Sequence, residues 1–240
     1  MVDRSRCLLS KWADNGRATT CSIGAITDER VEEAGETLQP FLESKSLGHG
    51  SRTKKVYGKE AKGLFRMESY PSRYEEWVEL RNGRKVFLRP VKETDGPLLV
   101  ELFEEMSLSS VRLRFLSPLN HLPEQLVYRF THVDYRKDFG LAALIDENSG
   151  LIIGVARYAY DPESEMPELA VAVRDDWQGN GVGTILLIKV IEVGREHGYS
   201  RFGAWVNPQN RTMMNIFKRS GYDIKISRME PEAYFIEIHG

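Results

Sequence analysis

The sequence predicts a mixed α/β domain over residues 71–240, preceded by a weakly ordered N-terminal extension over residues 1–70. Three observations carry this expectation. Apolar runs flank the turn dipeptide Asn82-Gly83, strand-like and helix-like patterns follow one another from there to the C-terminus, and a glycine-rich turn separates a strand from a long apolar helix. The 240 residues are 41% hydrophobic and 28% charged, enough for one sizeable core and an appendage.

The extension is polar, rich in Gly, Ser and Thr, and carries the basic stretch Arg52-Thr53-Lys54-Lys55, read as a solvated tail or an arm for an acidic face. One helix is expected in it from Thr27, with Asp28 as cap and Val31, Leu38, Phe41 and Leu42 on one face. After Pro71, Trp77-Val78-Glu79-Leu80 and Val86-Phe87-Leu88 read as two strands. Asn82-Gly83 between them tolerates positive φ at both turn centres and favours a tight hairpin. Thr94-Asp95 then introduce a helix through Pro97, Leu98, Leu99, Leu102 and Phe103, and a second helix is expected over residues 124–130. Strands over residues 141–145 and 151–158 bracket the loop Asp146-Glu147-Asn148-Ser149-Gly150, and a third, over residues 169–173, follows an acidic loop. A long helix over residues 181–197 is stopped by Gly198, and a strand over residues 201–206 leads to a last helix ending near Ser220.

A net charge of −2 and a pI near 6.3 lack the clustered basic excess that nucleic acid or anionic lipid would require, so neither partner is expected. Cys7 and Cys21 are too few for a disulfide framework or a four-ligand zinc site. The five histidines, at 49, 121, 132, 197 and 239, show no ligand spacing, so no metal is expected. No run of signal-peptide or membrane-spanning length is apparent, and a cytoplasmic location is expected.

Gln178-Gly179-Asn180-Gly181-Val182-Gly183-Thr184 joins a strand to the N-terminus of the long helix. Free N–H groups and the helix dipole make such a turn a cradle for phosphate, and missing Cβ atoms let a pyrophosphate approach the main chain. A P-loop would place Lys-Ser/Thr after the last glycine, where Thr184-Ile185 stand instead. A dinucleotide fingerprint would space its third small residue further on and end the next strand in a carboxylate, whereas here that strand ends in Asn207-Pro208.

Gln178-x-x-Gly181-x-Gly183 resembles the Gln/Arg-x-x-Gly-x-Gly/Ala pyrophosphate motif of the GNAT-type acyl-CoA-dependent N-acyltransferases. Asn207-Pro208-x-Asn210, a helix and then Gly221-Tyr222 resemble the closing region of that family, and the likeness covers residues 77–239. The resemblance implies the GNAT fold, a mixed, mostly antiparallel central sheet with helices on both faces. It also implies acetyl-CoA as acyl donor, held by the loop from Gln178 through Gly179, Asn180, Gly181, Val182 and Gly183 to Thr184. The pantetheine arm would lie along the strand carrying Ala170, Val171 and Val173, and Asn210 would touch the cofactor, a role that competes with simple N-capping.

Ser109-Ser110-Val111-Arg112-Leu113-Arg114-Phe115, Phe130-Thr131-His132-Val133-Asp134, Gly154-Val155-Ala156-Arg157-Tyr158 and Pro167-Glu168-Leu169-Ala170 resemble the bacterial protein lysine acetyltransferases that modify acyl-CoA synthetases. Many of these carry a fused effector domain, for which residues 1–71 leave no room. The resemblance makes Glu168, just ahead of the cofactor strand, the general base that an acceptor lysine of pKa near 10.4 requires. Backbone N–H groups of residues 169–173 are candidates for the oxyanion. The tyrosine that many relatives use as general acid is replaced by Phe217, with Tyr222 or water as substitutes. Trp177 reads as a packing residue, and Arg112 and Arg114 as solvated or partner-facing. A small-amine acetyltransferase and a catalytically silent acyl-CoA sensor are the alternative functions.

Overall fold

The computed structural model describes residues 69–239 apart from residues 149 and 231; the helix expected from Thr27 lies outside them. Among the described residues eight strands form one sheet in the order β1-β2-β3-β4-β5-β6-β8-β7. They are β1 (Glu76–Glu79), β2 (Lys85–Pro90), β3 (Asp138–Leu144), β4 (Ile152–Asp161), β5 (Met166–Val173), β6 (Arg201–Val206), β7 (Asp223–Met229) and β8 (Tyr234–His239). The helices are α1 (Gly96–Glu104), α2 (Leu108–Phe115), α3 (Glu124–Thr131), α4 (Val182–Glu196) and α5 (Arg211–Arg219). Neighbouring strands are antiparallel except β5 and β6, which run parallel.

The β1–β2 turn differs from the expected double positive-φ hairpin. Among its residues Gly83 alone takes positive φ, at 78°, while Gly83 N–H donates to the Leu80 carbonyl and Leu80 N–H to that of Arg84. A turn followed by a glycine bulge satisfies the same strand twist with one left-handed residue.

Alternation along the strands divides the core. On one face α4 lays Leu186, Leu187, Val190 and Ile191 against Phe139, Ile153 and Tyr158, all of them buried. On the other, α1 presses Leu99 and Leu102 onto Val91, Ala142, Leu144 and Ile152, and α2 and α3 close over Phe103 with Val111, Leu122 and Leu126. Each such side chain contributes roughly 1.5–3 kcal/mol on burial. The entry to α1 is set by a buried ion pair, in which Arg89 donates from Nη1 and Nη2 to both oxygens of Asp95 at 2.7 and 2.8 Å, while Asp95 also accepts the Lys92 N–H. Helix α4 ends one residue before the expected His197, with Gly198 at φ 94° turning the chain into β6.

Candidate active site

Parallel β5 and β6 are joined in register at a single pair, Glu168 with Gly203. Beyond it the strands part toward the glycine loop, leaving an edge of β5 without a strand partner. A cleft of about 70 Å³ occupies the opening, walled by residues 168–171 of β5, Ala204, Trp205 and Val206 of β6, Arg114 and Phe115 of α2, Phe130 of α3, and Asn210 and Met213. Sequence reasoning put Glu168 just ahead of the strand. In the structure β5 begins at Met166, three residues earlier than expected, because Met166 pairs with Asp161, so Glu168 is an interior strand residue opposite Ala159 on one side and Gly203 on the other. It is half-buried, and among the described residues lining the cleft it is the one carboxylate.

The glycine loop divides into parts that sequence spacing treats alike. Gly179 and Gly181 hold φ of 78° and 94°, and a Cβ built on either would meet nothing within 4 Å. Gly183 has ordinary φ; its Cβ would stand 3.3 Å from Ile216, 3.4 Å from Val173 and 3.8 Å from Val171. The first two allow the chain to turn beside open space, and the third allows α4 to pack closely on β5 and α5. Gly181 is the N-cap of α4, and among the described residues the N–H groups of Gly181, Val182, Gly183 and Thr184 meet no acceptor in the chain. These amides at a helix N-terminus, with room in front of them, fit a pyrophosphate.

Side chains of the loop are engaged with the protein. The Gln178 amide nitrogen donates to the Val173 carbonyl, Ser110 Oγ and Asp175 Oδ1 at 2.9–3.1 Å. Asp175 in turn accepts the Ser107 N–H at the start of α2, so one cluster ties the loop to the helix that walls the cleft. Despite the opposing effect of burial, hydrogen bonds from Ser107 and Ser110 hold the Asp175 carboxyl below its ordinary range. Asn180 donates to the Trp177 carbonyl and accepts from Asn82 in the β1–β2 turn. Trp177 is buried in the core with the Arg84 guanidinium 3.5 Å from its ring centroid, which makes it a packing residue. Of the candidate strand residues, Ala170 and Val171 line the cleft, whereas Val173 packs against the core beside α4.

Asn210 caps α5, its Oδ1 accepting the Met213 N–H at 2.9 Å, and it also lines the cleft. The cap uses the oxygen and leaves the amide nitrogen for other work. Phe217 is fully buried, and Tyr222 packs on the core without lining the cleft, so neither offers an acid there. Among the described residues no three His, Cys, Asp or Glu side chains gather as a metal site, and no helix is long and apolar enough to cross a membrane.

What sequence reasoning missed is a cationic cluster around Glu168. Burial of the Arg114 guanidinium, with Arg157 nearby, lowers its pKa to about 10, and Glu168 acts in the opposite sense, although the residue as a whole is half-buried. Arg129 is likewise lowered by burial and by Arg157, against the pull of Asp138 and Glu168. A charge within the apolar run Val155-Ala156-Arg157-Tyr158 was the available signal.

The acetyltransferase (GNAT) family model matches residues 105–222. The solved GNAT domain of S. lividans PAT is 34% identical with a TM-score of 0.65, over 72% of this chain and 100% of that one. An acetyltransferase of Pseudomonas aeruginosa is 28% identical over 167 residues, 69% of this chain and 88% of that protein. The acetyltransferase Pat of Mycolicibacterium smegmatis is 32% identical over 145 residues, 60% of this chain and 43% of that longer protein. A phosphinothricin acetyltransferase of Sinorhizobium meliloti, solved with acetyl-CoA, shares the fold at 16% identity and a TM-score of 0.52, over 65% of this chain and 89% of that one. Fold and site thus define an acyl-CoA-dependent acetyltransferase. The chain belongs to the GNAT family.

Proposed function

We propose that this chain transfers the acetyl group of acetyl-CoA to a lysine side chain of a partner protein, with an acyl-CoA synthetase as the class of acceptor. The observation that carries the proposal is the place of Glu168, the one carboxylate among the described cleft residues, at the point where β5 and β6 part. Likeness to the two Pat proteins supports a protein acceptor.

Bound acetyl-CoA supplies a thioester carbonyl activated toward amines. The N–H groups of Gly181, Val182, Gly183 and Thr184 hold its pyrophosphate at the positive end of α4. The free edge of β5 at Ala170 and Val171 offers main-chain hydrogen bonds to an extended arm, much as a sheet edge accepts an added strand. Its N–H groups are also the candidates for stabilising the oxyanion. Glu168 takes the proton that the lysine ammonium must lose before its nitrogen can attack. Water protonates the departing thiolate, since Phe217 cannot.

Glu168→Gln tests this role. The side chain faces the acceptor, so acetyl-CoA affinity is expected to hold while turnover at pH 7 falls on the order of 10²–10⁴-fold. The deficit should shrink as pH rises toward the lysine pKa near 10.4, where free amine needs no base. Near-normal turnover at pH 7, or a deficit independent of pH, would remove Glu168 from the reaction.

A further inference from the structure

Arg157 is 3% exposed in the middle of β4. Its Nη2 donates to both oxygens of Asp138, at 2.6 and 2.8 Å, and Phe130 lies 4.4 Å over its guanidinium. Among the described residues its Nε and Nη1, both buried, meet no acceptor. Buried charged donors left without a partner are costly and rare, which makes them a mark of a ligand.

Arg157 also lines a second cavity of about 40 Å³ under α1, α2 and α3, whose other lining residues are apolar apart from Arg114. Arg114, Phe115 and Phe130 line both this cavity and the cleft. Strand register places the two in sequence. Arg157 stands directly opposite Ala170, which lines the cleft, and the next β5 residue on the same face, Ala172, lines the second cavity. Around them Arg114, Arg129 and Arg157 face Asp138 and Glu168, with Asp134 acting on Asp138, so what calls for an anion is the pair of unpartnered Arg157 donors and not a surplus of charge. An apolar passage ending on a cation fits a short hydrocarbon chain that ends in a carboxylate.

We propose that the cavity behind Phe115 and Phe130 is an acyl-chain subsite closed by Arg157, and that the donors of this protein include CoA thioesters of short dicarboxylic acids. The proposal rests on the lysine-acylation reading, because a lysine acceptor has no carboxylate of its own and the anion must then arrive on the donor. Atoms balance as in acetyl transfer. The lysine ammonium gives one proton to Glu168, its nitrogen bonds to the thioester carbon, the C–S bond breaks, water carries the second nitrogen proton to the departing thiolate, and the distal carboxylate is unchanged.

The test uses the full chain and measures calorimetric affinity and transfer to a lysine peptide for acetyl-, butyryl- and succinyl-CoA. Succinyl-CoA is expected to bind more tightly than butyryl-CoA, its methyl-ended counterpart. In Arg157→Met the succinyl-to-acetyl affinity ratio should fall about tenfold or more, with partial retention in Arg157→Lys. Equal affinity for butyryl- and succinyl-CoA in the wild type would overturn the subsite while acetyl transfer stands, and the wild-type comparison decides this even where Arg157→Met does not fold. An unchanged ratio in Arg157→Met, with loss instead of a preference for free amino-acid acceptors, would move the carboxylate to the acceptor and also overturn it. Failure to bind any acyl-CoA would overturn the proposed function itself.

Discussion

Gly183→Val separates the two jobs of the glycine loop. A Cβ at this position already approaches Ile216 to 3.3 Å and Val173 to 3.4 Å, so alanine needs its neighbours to give by only a few tenths of an ångström. The added methyls of valine have no such room, and overpacking of this kind costs about 1–3 kcal/mol. For a chain of this size that corresponds to a fall in Tm of roughly 2–12 °C. The displaced parts are the first turn of α4 and the edge of β5, where the free amides stand. Loss of one charge-assisted hydrogen bond there, worth about 1.5–3 kcal/mol, would weaken acetyl-CoA binding some 10- to 150-fold. Gly181→Ala acts differently, because no atom obstructs its Cβ while φ of 94° strains it by about 1–2 kcal/mol. Paired calorimetry and thermal melts on Gly183→Ala, Gly183→Val and Gly181→Ala check the order. Unchanged acetyl-CoA affinity in a folded Gly183→Val would refute the placement of the donor at the N-terminus of α4.

The remaining expectations concern the supports of the cleft. Asn210→Ala loses the cap of α5 and should cost about 1 kcal/mol in denaturant unfolding. Asn210→Asp keeps a capping oxygen but not the amide nitrogen, so weaker acetyl-CoA binding at unchanged stability would show that the nitrogen serves the ligand. Asp175 has a lowered carboxyl pKa, so its contribution is fully present above the unfolded value near 3.9 and is lost as pH falls through the lower folded value. Asp175→Asn should therefore be less stable than the wild type at pH 6, with the gap closing below about pH 4; a constant gap across that range would show that the Ser107 and Ser110 hydrogen bonds do not depend on the charge.

The sequence by itself determined the features that depend on neighbours a few residues apart. The Asn82-Gly83 turn, the apolar face of α4 and the glycines at its N-terminus are local patterns, with periods of two or 3.6 residues and backbone needs that only certain residues meet. Motif resemblance added the family and singled out Glu168. Tertiary structure decided the rest. The insertion of β8 between β6 and β7, and the parting of β5 from β6 beyond Glu168, depend on pairings between distant segments that no local period records. The same holds for Gly183, whose purpose is visible only once Ile216 and Val173 stand beside it. Arg112 and Arg114 read as solvated or partner-facing; folding brings Arg114 and Arg129 toward Glu168 and Arg157 toward both of them, because strand pairing and helix docking set side-chain neighbours across the sheet while the sequence orders them only along the chain.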